Sequence, residues 1–510
     1  MNPRNARFAV WLVFGIALLF NVIFWKEKMG INTAIFDLAV LIIIFILYPT
    51  AKNSAAVRWL VVGHLICVAM IVIHNSALSK IAYSTTLLLV VAFSQYVHRS
   101  VLFATGSILQ NIVFAVPNFI DQFPAHTHAK PSSFRFSRRL RLALIPIILV
   151  LVFVVIYSSA NSIFSKIVSS FITTVGDFFA NFSDFISIPR LGFFVLGLFI
   201  AIVILLKSRA NYFSKKESKL SDDLVRRRTS VYQSGGFAEF ITSIMGRAGK
   251  GMLALKNANT IGLISIILLN LLLLVVNGID ISYIWMGIDV STTNLYEMIH
   301  NGTELLIISI LLAILVLLLV FKGNLNFYRG SKQLKIAAYC WIIQNIILVV
   351  SVLLRDIYYI RETGLAYKRV GVLFYLALVC VGLLSVLIKI SRRKSIYFLL
   401  RVNTWAVMIL LVFSTTINWD EYIASYNFNH KNEIIMPVGF MVTLSGKAIP
   451  LLDQNRAALI EHKVKLKSLD QWNYNCEDCY LKVLDEQIRQ YKLEHGTNKY
   501  TWLSWNSADA

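Results

Sequence analysis

Glu297, His300 and Glu304 are spaced i, i+3 and i+7 at the entrance to a long apolar run. In continuous helix such steps put all three on one face. Glu-x-x-His is half of the arrangement with which helix bundles hold two metal ions. A second half is required, and no other Glu-x-x-His falls within an expected span, so no metal is assigned. Three plainer accounts compete with a proton or ligand site at Glu297 and His300, the first being that polar residues belong at a membrane interface. Glutamate is favoured near a helix N-terminus by the macrodipole. Asn301-Gly302-Thr303 also reads as a local turn or cap, which would separate the three side chains.

Asp37 and His64 are the acid and the imidazole that lie deepest in apolar segments. Ionisable groups in hydrocarbon are costly, so each marks a functional hypothesis. On adjacent helices the two would pair as a proton relay, against the plainer account of a short, partly interfacial second span. Asn21, Asn270, Gln344, Asn345 and Asn403 are expected to join helices by hydrogen bonds. In "RDIYYIRETGLAYKR", Arg355, Asp356, Arg361, Glu362, Lys368 and Arg369 alternate in sign among Tyr358, Tyr359 and Tyr367. This is either a headgroup-level belt or a polar cleft in which Arg355, Tyr358, Arg361 and Arg369 hold a phosphate-bearing ligand. Cys476 and Cys479 are spaced for a disulfide or for redox or zinc chemistry; without a βαβ pattern around them, a thioredoxin-like enzyme is not expected.

The elements that position these groups are membrane helices. Of 510 residues, 57% are hydrophobic and 15% charged, and the mean hydropathy is +0.67. A soluble chain would carry about a quarter charged residues. Apolar blocks predict an all-α, polytopic protein with about eleven spans, near 8–25, 34–49, 57–74, 78–96, 142–159, 190–206, 258–277, 303–321, 335–354, 369–388 and 397–417. With a cytoplasmic N-terminus, inside segments carry 30 of the 49 Lys and Arg and the opposite loops 9. That bias predicts the N-terminus inside and the C-terminus outside. The net charge of +22 therefore reflects orientation and anionic headgroups at the basic loops, 137–144 and 222–230 above all. No aromatic residues interleave these charges, so nucleic acid is not an expected partner.

Four parts follow: a bundle over 1–206, a basic cytoplasmic loop over 207–256, a second bundle over 257–418 and a small extracytoplasmic helical tail over 419–510. An amphipathic helix over 162–185 is expected to lie at the interface, with Phe164, Val168 and Phe171 on its apolar face. A second candidate, 101–119, is expected to break at Gly106 and end at Pro117. In the tail, helices are expected near 452–468 and 477–494; Leu481, Leu484, Ile488 and Tyr491 form a narrow apolar stripe that needs a partner surface.

"RDIYYIRETGLAYKRVGVLFYL" (355–376), "INWDEYIASYNF" (417–428) and "LSGKAIPLL" (444–452) resemble a family of bacterial multi-pass membrane proteins, domain of unknown function 4153/4173. Its pattern has a Tyr-rich segment with a Gly-Leu step, an Ile-Ala-x-x-Asn element and a Leu-Ser-x-x-Ala-x-Pro element. The resemblance runs from about residue 257 to 455, and Ala366 stands where the pattern commonly has Thr. It implies a bacterial inner membrane and no particular reaction.

No nucleotide loop, Gly-x-Ser-x-Gly elbow or His-Glu-x-x-His occurs, so no catalytic residue or cofactor is assigned. The expectation is a non-enzymatic envelope scaffold, sensor or accessory subunit whose tail binds an envelope protein. The alternative is a transporter or lipid-handling protein with an outward polar site; a membrane enzyme comes third.

Overall fold

The computed structural model describes residues 3–122, 161–180, 187–208, 211–225, 254–286, 292–321, 323–434, 436–467, 477–496 and 501–507, with six further residues between 150 and 159. Among the described residues the regular structure is helical, with a single isolated bridge between Asp223 and Lys394. The chain forms two compact units, Met1–Ser218 with Asn498–Ala510, and Lys219–Thr497.

The first unit begins with α1 (Pro3–Phe24), α2 (Ile31–Leu47), α3 (Ala55–Ile73) and α4 (Ala77–Gln95). After α5 (Val101–Val113), α6 (Ala115–Gln122) and α7 (Ser162–Ala180) comes α8 (Ile188–Leu205), which packs on α1, followed by the short α9 (Tyr212–Ser218). Successive helices α1 to α5 pack as neighbours, and Val13, Val40, Ile44, Cys67, Ile71 and Val90 form the dry interior. Asn21 fastens α1 to α8: its amide donates to the Arg190 carbonyl, and Arg190 donates back to it. Asn32 builds the α1–α2 turn by donating to the Ile23 and Lys28 carbonyls and accepting from Gly30 and Thr33.

One expected break is displaced. Helix α5 runs through Gly106, because the missing side chain lets the helix lie on Phe213 of α9; a Cβ there would come within 2.6 Å of the Phe213 ring. The chain breaks instead at Phe114, and Pro117 sits in the first turn of α6, where its missing N–H costs nothing. Helix α7 is present, with Ile163, Ile167 and Phe171 exposed.

The second unit contains α10 (Ala254–Asp280), which passes into a π-helical turn (Ile281–Trp285), and then α11 (Thr292–Val320), α12 (Lys332–Thr363), α13 (Tyr367–Arg392) and α14 (Ile396–Thr415). Their shared core includes Ile266, Ile310, Leu317, Leu334, Ile342 and Leu383. Gln344 donates to Asn270, Asn270 donates to the Ala337 carbonyl of α12, and Asn403 donates to Ser385, so these three amides join helices as expected; Asn345 instead donates to the Trp341 carbonyl of its own helix, and Asn277, not singled out in the sequence, donates to the Gln344 carbonyl. Leu268, Leu271, Leu272 and Val275 remain exposed on α10, an outward apolar face suited to lipid.

Among the described residues, six helical segments are long and apolar enough to cross a membrane: Ala55–Ile73, Ala77–Gln95, Lys256–Trp285, Arg329–Thr363, Tyr367–Arg392 and Ile396–Thr415. Four more expected spans are apolar helices of 10–17 residues: Phe8–Phe24, Ile31–Leu47, Pro189–Leu205 and Leu306–Val320. The expected span at 142–159 lies largely outside the described residues.

The tail packs against its own unit. Helices α15 (Trp419–Asn429), α16 (Ile449–Gln454), α17 (Arg456–Lys467) and α18 (Glu477–Gly496) form a cap on the second unit. Leu484 and Ile488 of the stripe are buried in its core with Ile360, Leu365, Ile423, Met441 and Leu452, and Tyr491 packs against it. The apolar stripe thus finds its partner within its own chain.

Candidate functional site

Asp37 of α2, His64 of α3 and Thr86 of α4 meet inside the first unit. His64 Nε2 lies 2.7 Å from Asp37 Oδ1, and His64 Nδ1 lies 2.8 Å from Thr86 Oγ1. All three are essentially buried, and the Tyr83 ring stacks on the imidazole at 5.3 Å. Thr86 has one hydroxyl proton, and its Oγ1 lies 2.7 Å from the Ala82 carbonyl and 3.0 Å from that of Tyr83. With that proton spent on its own helix, Thr86 accepts from His64 Nδ1–H. One proton is then left between Nε2 and Oδ1, giving either an imidazolium–carboxylate pair or a neutral imidazole beside a carboxylic acid. Both states are neutral overall, which an apolar bundle favours. Asp37 Oδ2 is buried and accepts no hydrogen bond among the described residues. The arrangement can hold one proton and present an oxygen to a second.

A network missed in the sequence lies just beyond the C-terminal end of α4. His98, just after α4, has Nδ1 2.6 Å from Glu217 Oε2 on α9 and Nε2 2.9 Å from Ser107 Oγ on α5. Glu217 also accepts the backbone N–H groups of Arg99 and Ser100 through Oε1. The order of groups is that of a nucleophile, a base and an orienting acid, yet Ser107 is only 3% exposed. With each ring nitrogen engaged, the network pins α5 and α9 to the end of α4. Beside it the Lys207 ammonium sits 4.7 Å over the Tyr96 ring; burial lowers the Lys207 pKa. The partners His98 and Glu217 are 119 residues apart, so no local spacing could reveal them.

In the second unit, Arg355 is buried and pairs with Asp280 at 2.5 Å, where α10 passes into the π-helical turn. Tyr358 donates to the Ile284 carbonyl of that turn, and Trp285 donates to Ser351. Arg369 is also buried, stacking on Tyr359 at 4.3 Å and donating to the Thr363 carbonyl. Of the three arginines expected to meet a ligand, only Arg361 is exposed. Glu297, His300 and Glu304 lie in α11, which continues through Gly302 without a break. The three positions therefore share one helix; their side chains lie outside the described ones, as do Cys476 and the thiol of Cys479.

The three motif segments converge in the cap. Gly364, with φ +78°, ends α12 in a conformation that disfavours side chains. Asn427 of Ile-Ala-x-x-Asn then bonds both backbone groups of Leu365. Asp420 accepts from the Tyr367 and Ser445 hydroxyls, which joins the Tyr-rich segment to Leu-Ser-x-x-Ala-x-Pro. These motif residues are the joints of the cap.

A family model described as "Domain of unknown function (DUF4153)" matches residues 13–455, beginning well before the motifs and taking in the first bundle. No curated protein and no solved structure matches the chain.

Proposed function

The chain belongs to the DUF4153 family, and from that premise we propose that it is a proton-responsive sensor or accessory protein of a bacterial inner membrane. It crosses with about eleven spans and carries out no reaction of its own. The observation that carries this reading is the buried Asp37–His64 pair at 2.7 Å. A purely structural link between α2 and α3 is made more cheaply by apolar packing, since burying two ionisable groups incurs a large desolvation cost. A titratable pair earns its place when its proton count matters, and histidine changes charge near physiological pH.

The proposed orientation puts the N-terminus in the cytoplasm and the C-terminus outside. It rests on the Lys and Arg bias. It is supported by the segment Thr501–Ser507, which binds the α1–α2 turn and the end of α3, at the opposite end of the first unit from Lys52, Arg99 and Lys207. An envelope protein partner for the tail loses its main support, because the stripe is covered within the chain. Exposed Arg361 and Lys368 still suit anionic headgroups.

Infrared difference spectroscopy on the protein in nanodiscs, taken between about pH 5 and pH 8 where histidine responds, tests the reading. A carboxyl band that changes with pH and disappears in Asp37→Asn is the expected result. A spectrum with no Asp37-dependent change across that range would refute a proton-responsive site.

A further inference from the structure

Residues Thr501–Ser507 fold back onto the first unit and touch the two helices that carry the pair. The Ile31 N–H donates to the Trp505 carbonyl at 3.1 Å, and the Ser507 N–H donates to the Val72 carbonyl at 2.8 Å. Ile31 opens α2 six residues before Asp37, and Val72 lies eight residues beyond His64 near the end of α3. The segment is therefore a strap between those two helix ends.

Its seat is specific. Ser504 Oγ accepts from the Lys28 N–H at 2.8 Å and donates to Glu27 Oε2 at 2.5 Å, and Glu27 also accepts the Thr501 N–H. A Cβ on Gly30 would stand 2.5 Å from the Trp505 carbonyl oxygen and 2.6 Å from that of Ser504. Only glycine lets the strap backbone lie this close. Ser504 and Asn506 are buried, whereas Trp502 and Trp505 are 68% and 47% exposed. The strap is held by hydrogen bonds with little apolar burial, so it opens at lower free energy than the helices beneath it.

The strapped end is also the nearer one for Asp37, while His64 lies midway along α3. From Ile31 to Asp37 is about 9 Å of helix, against about 15 Å from Asp37 to Leu47 at the other end. We propose that the strap is a lid that governs access of water and protons to Asp37 and His64 from this end of the bundle. This rests on the proton-responsive reading given above. The titratable groups concerned are the pair itself, Tyr83 stacked on His64, and Glu27 under the strap.

Chemical labelling of histidine tests the lid. The full chain in nanodiscs is treated with diethylpyrocarbonate, and carbethoxylation of His64 and His98 is followed by mass spectrometry. Gly30→Val blocks seating outright, and Ser504→Ala loosens the strap without adding bulk. His64 should label at least tenfold faster in Gly30→Val, the factor for losing about one ordinary hydrogen bond of the several that seat the strap, and by a smaller factor in Ser504→Ala. His98, at the opposite end, should keep its protection. Unchanged His64 labelling in both variants would overturn the lid, and so would equal acceleration at both histidines, which would mean that the strap stabilises the whole unit. The infrared response of Asp37 is read separately, so a pair that never titrates would defeat the proton-responsive reading without altering the labelling result.

Discussion

Asn427 holds both backbone groups of Leu365: its amide oxygen accepts the Leu365 N–H at 2.6 Å, and its amide nitrogen donates to the Leu365 carbonyl at 3.0 Å. Asn427 is completely buried. Asn427→Leu would leave a buried donor and acceptor unmet, at about 1–3 kcal/mol each. Thermal unfolding in detergent should shift down by several degrees; an unchanged midpoint would show that the clasp contributes nothing.

Ala366 precedes α13 with extended backbone at the N-cap position, and it makes no capping hydrogen bond. Thr, common there in the family pattern, would supply the missing acceptor for the first-turn N–H groups. Ala366→Thr should stabilise the chain by about 1 kcal/mol. An equal or lower melting temperature would argue against a capping role.

Removing one member of the Asp37–His64 pair strands the other in an apolar interior. Asp37→Leu should cost about 3–5 kcal/mol, whereas Asp37→Leu with His64→Leu should recover most of that loss. The double variant should fold and yet show no pH response. A double variant less stable than Asp37→Leu alone would mean that the pair is a packing requirement.

Arg355 and Arg361 should part company. Arg355 is sequestered with Asp280, so Arg355→Met should destabilise the protein by about 3–5 kcal/mol, the cost of breaking a buried ion pair. Arg361 is exposed, so Arg361→Gln should leave stability unchanged and weaken retention of anionic phospholipid during purification. Phospholipid analysis and thermal melts on both variants separate the two roles; lipid loss with Arg355→Met at unchanged stability would reverse the assignment.

The helices and the Asp37–His64 pair were legible in the sequence for one reason: polar residues stand out in apolar segments, and consecutive spans are neighbours. The same logic exposed Asn270 and Gln344. What stayed hidden depends on contacts across long separations. Alternating charge around Arg355 could not name its partner, because Asp280 lies 75 residues earlier on another helix. The stripe on α18 announced that Leu484 and Ile488 need cover, but periodicity is silent on whether that cover comes from the same chain. Gly106 reads as a breaker because its sequence neighbours do not show Phe213, the ring that makes its small size useful. The motif segments carried a recognisable pattern without its cause, which is the joining of Leu365, Asp420 and Ser445 in the cap.

The hydrogen bond from Thr501 to Glu27 spans 474 residues. During synthesis the first unit's helices are made while the residues that bind over their end are still untranslated. Hundreds of residues of the second unit must be made before Trp505 can reach Ile31. On the lid proposal, closure over Asp37 and His64 can follow only once the ribosome has passed the second unit.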